Sequence, residues 1–130
     1  MPFQYASRFC PLLHCDGDWG KNLDYLDELP RAKVVLQFDG RTDMFRAKEI
    51  IGDHCCIFGD VPASMLAFGG KQEVSDYCKK LIDVVGKRGG FILAAGCEVA
   101  PNTRPRERQG NDRCCEAVWV LLLSVSKNDA

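Results

Sequence analysis

The sequence predicts an α/β fold, a parallel β-sheet covered by helices. Two observations carry this reading. From Leu12 to Cys97 short apolar runs alternate with longer segments of helical period, and each apolar run ends in a turn carrying a polar or reactive side chain. Strands buried on both faces read as near-continuous apolar runs, and parallel strands need a crossover between them, which is usually a helix. The first strand is Pro11 to Cys15, closed by Asp16-Gly17-Asp18. After it Leu23, Leu26 and Leu29 recur at three-residue steps up to Pro30, a helix stop. The second strand is Lys33 to Phe38, ending at Asp39-Gly40, and the following helix is Met44 to Ile51 with Gly52 as its C-terminal cap. The third strand, Cys55 to Phe58, ends at Gly59-Asp60. A short helix from Ala63 to Phe68 follows, then a longer one from Gln72 to Gly86 whose Val74, Cys78, Leu81, Ile82 and Val85 form one apolar stripe. The fourth strand, Gly90 to Ala95, ends at Gly96-Cys97 and leads to the turn Pro101-Asn102-Thr103. Four such units fit a small open sheet or half of an eight-stranded barrel. A complete barrel takes roughly 250 residues, so a length of 130 residues by itself favours the open sheet.

Composition narrows the partners. With 46% hydrophobic and 27% charged residues the chain has the profile of one globular domain. Seventeen basic residues against eighteen acidic ones give a net charge of −1 and no concentrated positive surface, so neither nucleic acid nor an anionic membrane is an expected partner. The longest apolar stretch, Ala117 to Leu123, is far short of the roughly 20 residues that span a bilayer. Eight cysteines would suit a disulfide scaffold, but the start Met1-Pro2-Phe3-Gln4-Tyr5 has no basic flank and apolar core of a secretory signal. Reduced thiols and a cytoplasmic location are the expectation.

The strand ends hold the candidate chemistry, because in barrels and open parallel sheets alike that edge is where active sites are built. His14-Cys15-Asp16 combines the three side-chain types that bind zinc. On an extended strand His14 and Asp16 point to one side and Cys15 to the other. A metal site would therefore use His14 and Asp16 with Cys97 from another strand end, three ligands and an open position, which is the pattern of a catalytic rather than a structural zinc. The alternative is a histidine in a strand-end turn whose Asp16 caps the next helix. Asp60, before Val61-Pro62, either caps the following helix or hydrogen-bonds substrate as a catalytic carboxylate. Cys55, Cys56 and Cys78 fall at apolar positions and read as packed thiols. Gly69-Gly70 and Gly89-Gly90 lack the spacing of a phosphate loop, and Arg104, Arg106 and Arg108 read as a solvated charge run.

Pro11-Leu12-Leu13-His14-Cys15-Asp16-Gly17, Gly59-Asp60-Val61-Pro62-Ala63-Ser64, and Gly89-Gly90-Phe91-Ile92-Leu93 with Gly96-Cys97 and Pro101-Asn102-Thr103 stand in an order that resembles the C-terminal half of the uroporphyrinogen decarboxylase superfamily. That superfamily includes the corrinoid (cobalamin) methyltransferases. The resemblance covers residues 11–105 and implies the last four units of a (β/α)8 TIM barrel, so the half-barrel overtakes the open sheet. It also implies a tetrapyrrole or other small-molecule substrate, with a corrinoid, free or on a partner protein, as methyl donor. The decarboxylase branch carries Gly-His where this chain has Gly96-Cys97. The methyltransferase branch holds zinc with a His-x-Cys pair and a later Cys; His14 and Cys97 match, while Asp16 stands at the first Cys. The expected function is metal-dependent methyl transfer to a thiol-type acceptor, with porphyrinogen decarboxylation or a non-catalytic fragment as the alternatives. A half-barrel also implies either a missing N-terminal half or self-association through its strand edges.

Residues 1–10 carry no resemblance, and the tail 106–130 departs from it abruptly. Where the pattern continues with a helix beginning Glu-Asn-Val, the chain reads Arg106-Glu107-Arg108-Gln109-Gly110-Asn111. A codon assignment exists in which starting one base later yields Glu-Asn-Val-Lys-Ala-Met-Ile-Asp-Ala-Val. The expectation is a frameshifted tail in which Cys114 and Cys115 are artefacts.

Overall fold

The structure is a computed structural model and describes residues 10–99 and 101. The expectations for the tail and for Met1 to Phe9 lie outside the described residues. Four strands, β1 (Leu12–Cys15), β2 (Val35–Phe38), β3 (Cys56–Val61) and β4 (Phe91–Ala95), form one sheet in the order β1-β2-β3-β4. Every neighbouring pair is parallel, with Leu12 opposite Val35, Val35 opposite Cys56, and Ile57 opposite Phe91.

That order decides the architecture. Right-handed crossovers that always step to the next strand in one direction place every connecting helix on the same face of the sheet. An open doubly wound sheet needs a reversal of strand order to cover its second face. No reversal occurs among the described strands, so the sheet is singly wound, as in a segment of a (β/α)8 barrel. Burial agrees. Leu36, Phe38 and Ile57 are buried against the helices, whereas Val35, Gln37 and Phe58 on the opposite face are half-buried and Leu12 and Ile92 are 49% and 44% exposed.

The segment between β1 and β2 contains a 3-10 helix, Leu23–Glu28, with Leu23 and Leu26 buried. The three-residue spacing of the leucines is the period of that tighter helix. Helix α1 (Met44–Ile51) packs on it and buries Met44, Ala47 and Ile51. Its N-cap is Asp43, whose carboxylate accepts the Phe45 and Arg46 N–H groups. Gly52 closes it as expected, but in the right-handed conformation, its N–H bonded to the Lys48 carbonyl. Helix α2 (Ala63–Phe68) is a short helix of 6 residues, and α3 (Lys71–Val84) lies against α1, β3 and β4 with Val74, Cys78, Leu81 and the following Val85 fully buried. Ile82 of the expected stripe is half-buried at its margin.

β3 differs most from its expectation. It runs on through Gly59 and Asp60 to Val61, because β4 offers partners there, Gly59 facing Leu93, Asp60 facing Ala94 and Val61 facing Ala95. No helix among the described residues is long and apolar enough to cross a membrane.

Candidate functional site

The four strand ends meet at one edge, and three links tie their turns together. The first is Asp39. Its carboxylate accepts the Gly17 N–H at 2.8 Å and the Arg41 N–H at 3.0 Å, joining the turn after β1 to the turn after β2. Partial burial pushes its carboxyl upward, but the Gly17 and Arg41 N–H groups, the Asp16 side chain within hydrogen-bonding reach and the Arg41 charge together hold it below its ordinary range. The second is Thr42, 2% exposed, whose hydroxyl accepts the Trp19 N–H at 3.0 Å and donates to the Gly17 carbonyl at 3.2 Å.

The third link is close packing of backbone. Gly40 has φ +94°, and a Cβ there would lie 3.0 Å from the Asp60 carbonyl and 3.1 Å from the Pro62 ring. Gly96 is pressed on the same turn from the other side, where a Cβ would stand 2.6 Å from the Asp39 carbonyl carbon. Its N–H bonds the Val61 carbonyl at 2.9 Å and its carbonyl accepts the Gln37 side-chain amide at 3.3 Å. Asp39-Gly40 is thus the hub on which the other strand ends converge.

The expected site residues divide on this frame. His14 and Asp16 are exposed and Cys15 is 3% exposed, but burial does not alternate along the whole of β1, because Leu13, on the Cys15 side, is 39% exposed. Burial, with the nearby Asp39 charge, pushes the Cys15 thiol up to about 11, so it stays protonated in the core. Cys97 is exposed and reduced, directly after the pinned Gly96. Among the described residues no three His, Cys, Asp or Glu side chains stand close enough to share a metal ion, so His14, Asp16 and Cys97 are not assembled as a trio.

Asp60 is 1% exposed, and its carboxylate accepts the Tyr77 hydroxyl of α3 at 2.8 Å. It does not cap α2, whose N-cap is Pro62 with no side-chain bond. Its carboxyl is pushed up to about 6 by burial, with Asp43 and Asp39 adding to the shift and Tyr77 opposing it. Asp16 caps nothing either. The acceptor in its turn is Asp18, which takes the Gly20 N–H.

Sequence reasoning missed the linking role of Asp39, and missed Thr42 and Tyr77 altogether. Asp39-Gly40 repeats the Asp16-Gly17 pattern at a strand end, which was a usable signal. Tyr77 sits beside the apolar stripe of α3, and only contact with β3 gives it meaning. At the other end of the sheet a cavity of about 220 Å³ is lined in part by Cys10, His54, Cys55 and Cys56. Burial raises the Cys55 and Cys56 thiols, in keeping with packing, and both ring nitrogens of His54 are engaged, by Asp27 and by the Leu29 carbonyl.

Residues 4–109 match the family model described as uroporphyrinogen decarboxylase (URO-D). The chain belongs to the uroporphyrinogen decarboxylase family. No curated protein and no solved structure matches it. The uroporphyrinogen decarboxylase family is built on the TIM barrel, and a singly wound sheet in the order β1-β2-β3-β4 with its helices on one face has the architecture of half of one. The hub at Asp39-Gly40 then lies at the carboxyl end of a uroporphyrinogen decarboxylase-family barrel, the end at which such barrels carry their active sites.

Proposed function

We propose that this chain is the C-terminal half of a uroporphyrinogen decarboxylase-superfamily barrel and that the whole barrel transfers a methyl group from a corrinoid to a thiol-type acceptor. The observation that supports methyl transfer over decarboxylation is Cys97, an exposed thiol at the carboxyl edge, where the decarboxylase branch carries histidine. His14 and Asp16 are exposed at the same edge. The substrate would lie over this edge, held between His14, Asp16 and Cys97. Asp39, Thr42 and Gly96 fix the turns that carry Asp16 and Cys97, and His14 lies near the end of β1, just before the first of these turns.

Zinc, which the resemblance implies, does not find three ligands assembled among the described residues. What the chain supplies is position. The Asp39 carboxylate holds the β1 turn, and Gly96, which packs on Asp39, directly precedes Cys97.

The test incubates the chain, alone and co-expressed with the N-terminal half of a family barrel, with methylcobalamin and a small thiol, and in parallel with a uroporphyrinogen. Thiol-dependent loss of methylcobalamin that disappears in Cys97→Ala supports the reading. Loss of carboxyl groups from the uroporphyrinogen without demethylation overturns it in favour of decarboxylation. Demethylation unchanged in Cys97→Ala overturns the role of the thiol.

A further inference from the structure

Asp60 is 1% exposed, and no ion pair among the described residues reaches it. The groups that act on it are the Tyr77 hydroxyl from α3, its own backbone N–H, Asp43 from the N-cap of α1, and Asp39 from the turn after β2. Two of these are anions, so the ionised carboxylate is repelled from two sides and held by one phenol and one peptide group. A buried carboxylate in this state costs several kcal/mol unless its neighbours compensate.

The position of Asp60 matters because its main chain is part of the edge. Its carbonyl and the Pro62 ring form the surface on which Gly40 rests, and Gly40 follows the Asp39 whose carboxylate holds Gly17. Tyr77 reaches this assembly from outside the sheet. Its own hydroxyl is held above its ordinary range by burial and by the Asp60 charge, so it is a hydrogen-bond donor throughout the range in which Asp60 titrates.

We propose that Tyr77 is a positioning residue that acts through Asp60, and that the Asp60–Tyr77 pair is a proton-operated latch between α3 and the strand-end turns. With a proton on Asp60 the repulsion from Asp39 and Asp43 is gone and the Gly40 turn seats tightly. Loss of that proton loosens the seat while Tyr77 keeps hold of the carboxylate. The latch is independent of which reaction the barrel performs.

Trp19 reports on it. Its backbone N–H bonds Thr42 and its indole N–H bonds the Asp16 carbonyl at 3.1 Å, so it is fastened to the same turns. In the full chain carrying Trp119→Phe, fluorescence is followed from pH 4 to 8 alongside the carboxyl carbon signals of 13C-labelled aspartate, the Asp60 signal being identified by its loss in Asp60→Asn. The expected result is that Asp60 titrates near pH 6 and the Trp19 signal follows with the same midpoint. Tyr77→Phe moves both midpoints upward, because the bond favouring the ionised form is gone, and Asp60→Asn removes the step. An Asp60 midpoint near 4, a Trp19 signal that does not follow Asp60, or an unchanged midpoint in Tyr77→Phe overturns the latch. A merely structural role for Tyr77 would lower stability and leave the midpoint where it was.

Discussion

Replacing Asp39 with alanine removes the acceptor that joins the β1 turn to the β2 turn. The carboxylate takes two backbone N–H groups, Gly17 at 2.8 Å and Arg41 at 3.0 Å. A hydrogen bond to a charged group contributes about 1.5–3 kcal/mol. Arg41 is exposed, so water replaces its lost partner, and the Gly17 bond, which spans two elements, carries most of the effect. The expected loss is therefore about 2 kcal/mol. In a chain of 130 residues each kcal/mol moves Tm by about 4 °C, so Asp39→Ala melts about 8 °C lower at neutral pH, measured by circular dichroism. The pH dependence has a definite sign. The Asp39 carboxyl is held below its ordinary range in the folded chain, so its contribution is present above the unfolded pKa and is lost as pH falls through the lowered folded value. The gap in Tm between wild type and Asp39→Ala must then shrink in acid. A gap under about 2 °C at neutral pH, or one that widens as pH falls, would refute the role assigned to Asp39.

Two further substitutions test the rest of the frame. Gly96→Ala places a methyl group 2.6 Å from the Asp39 carbonyl carbon, a backbone atom that cannot swing aside. Overpacking of this kind costs about 1–3 kcal/mol, read as a lower urea midpoint, and it makes Cys97 react with a thiol reagent at an altered rate; an unchanged midpoint would show that the turn is loose. Thr42→Val keeps the shape but removes the acceptor of the Trp19 N–H and the donor to the Gly17 carbonyl. At 2% exposure water does not easily substitute, and the expected loss is about 1–3 kcal/mol in urea unfolding. Stability equal to wild type would mean that Trp19 and Gly17 find other partners.

Several elements were legible because their signals are local. The bounds of α1 and α2 follow from the apolar spacing and the flanking Gly52 and Pro62, and α3 starts within one residue of its expected place. That His14 and Cys15 face opposite sides was legible from strand alternation, whereas the 39% exposure of Leu13 on the Cys15 side was not. β3 was read too short because glycine and aspartate are turn formers by intrinsic preference, and the pairing of Asp60 with Ala94 and Val61 with Ala95 overrides that preference. Asp60 shows the same limit at the level of chemistry. A carboxylate before Val61-Pro62 reads as a helix cap or as a substrate ligand, and neither reading points to the tyrosine on α3 that is its partner.

The amino-acid sequence alone determined that this protein alternates strand and helix, which polar side chains stand at the strand ends, and, through its motifs, the uroporphyrinogen decarboxylase superfamily. It did not determine the order of the strands by periodicity, because an open sheet and a half-barrel bury the same apolar runs in the same helical units. Only the long-range pairing of β1 with β2, β2 with β3 and β3 with β4 did that, since a one-directional order with right-handed crossovers leaves every helix on one face. The Asp39 hub and the Asp60–Tyr77 pair belong to the same tertiary level. Each joins residues far apart in the chain, and burial changes the chemistry of the Asp60 carboxyl only once those partners have met.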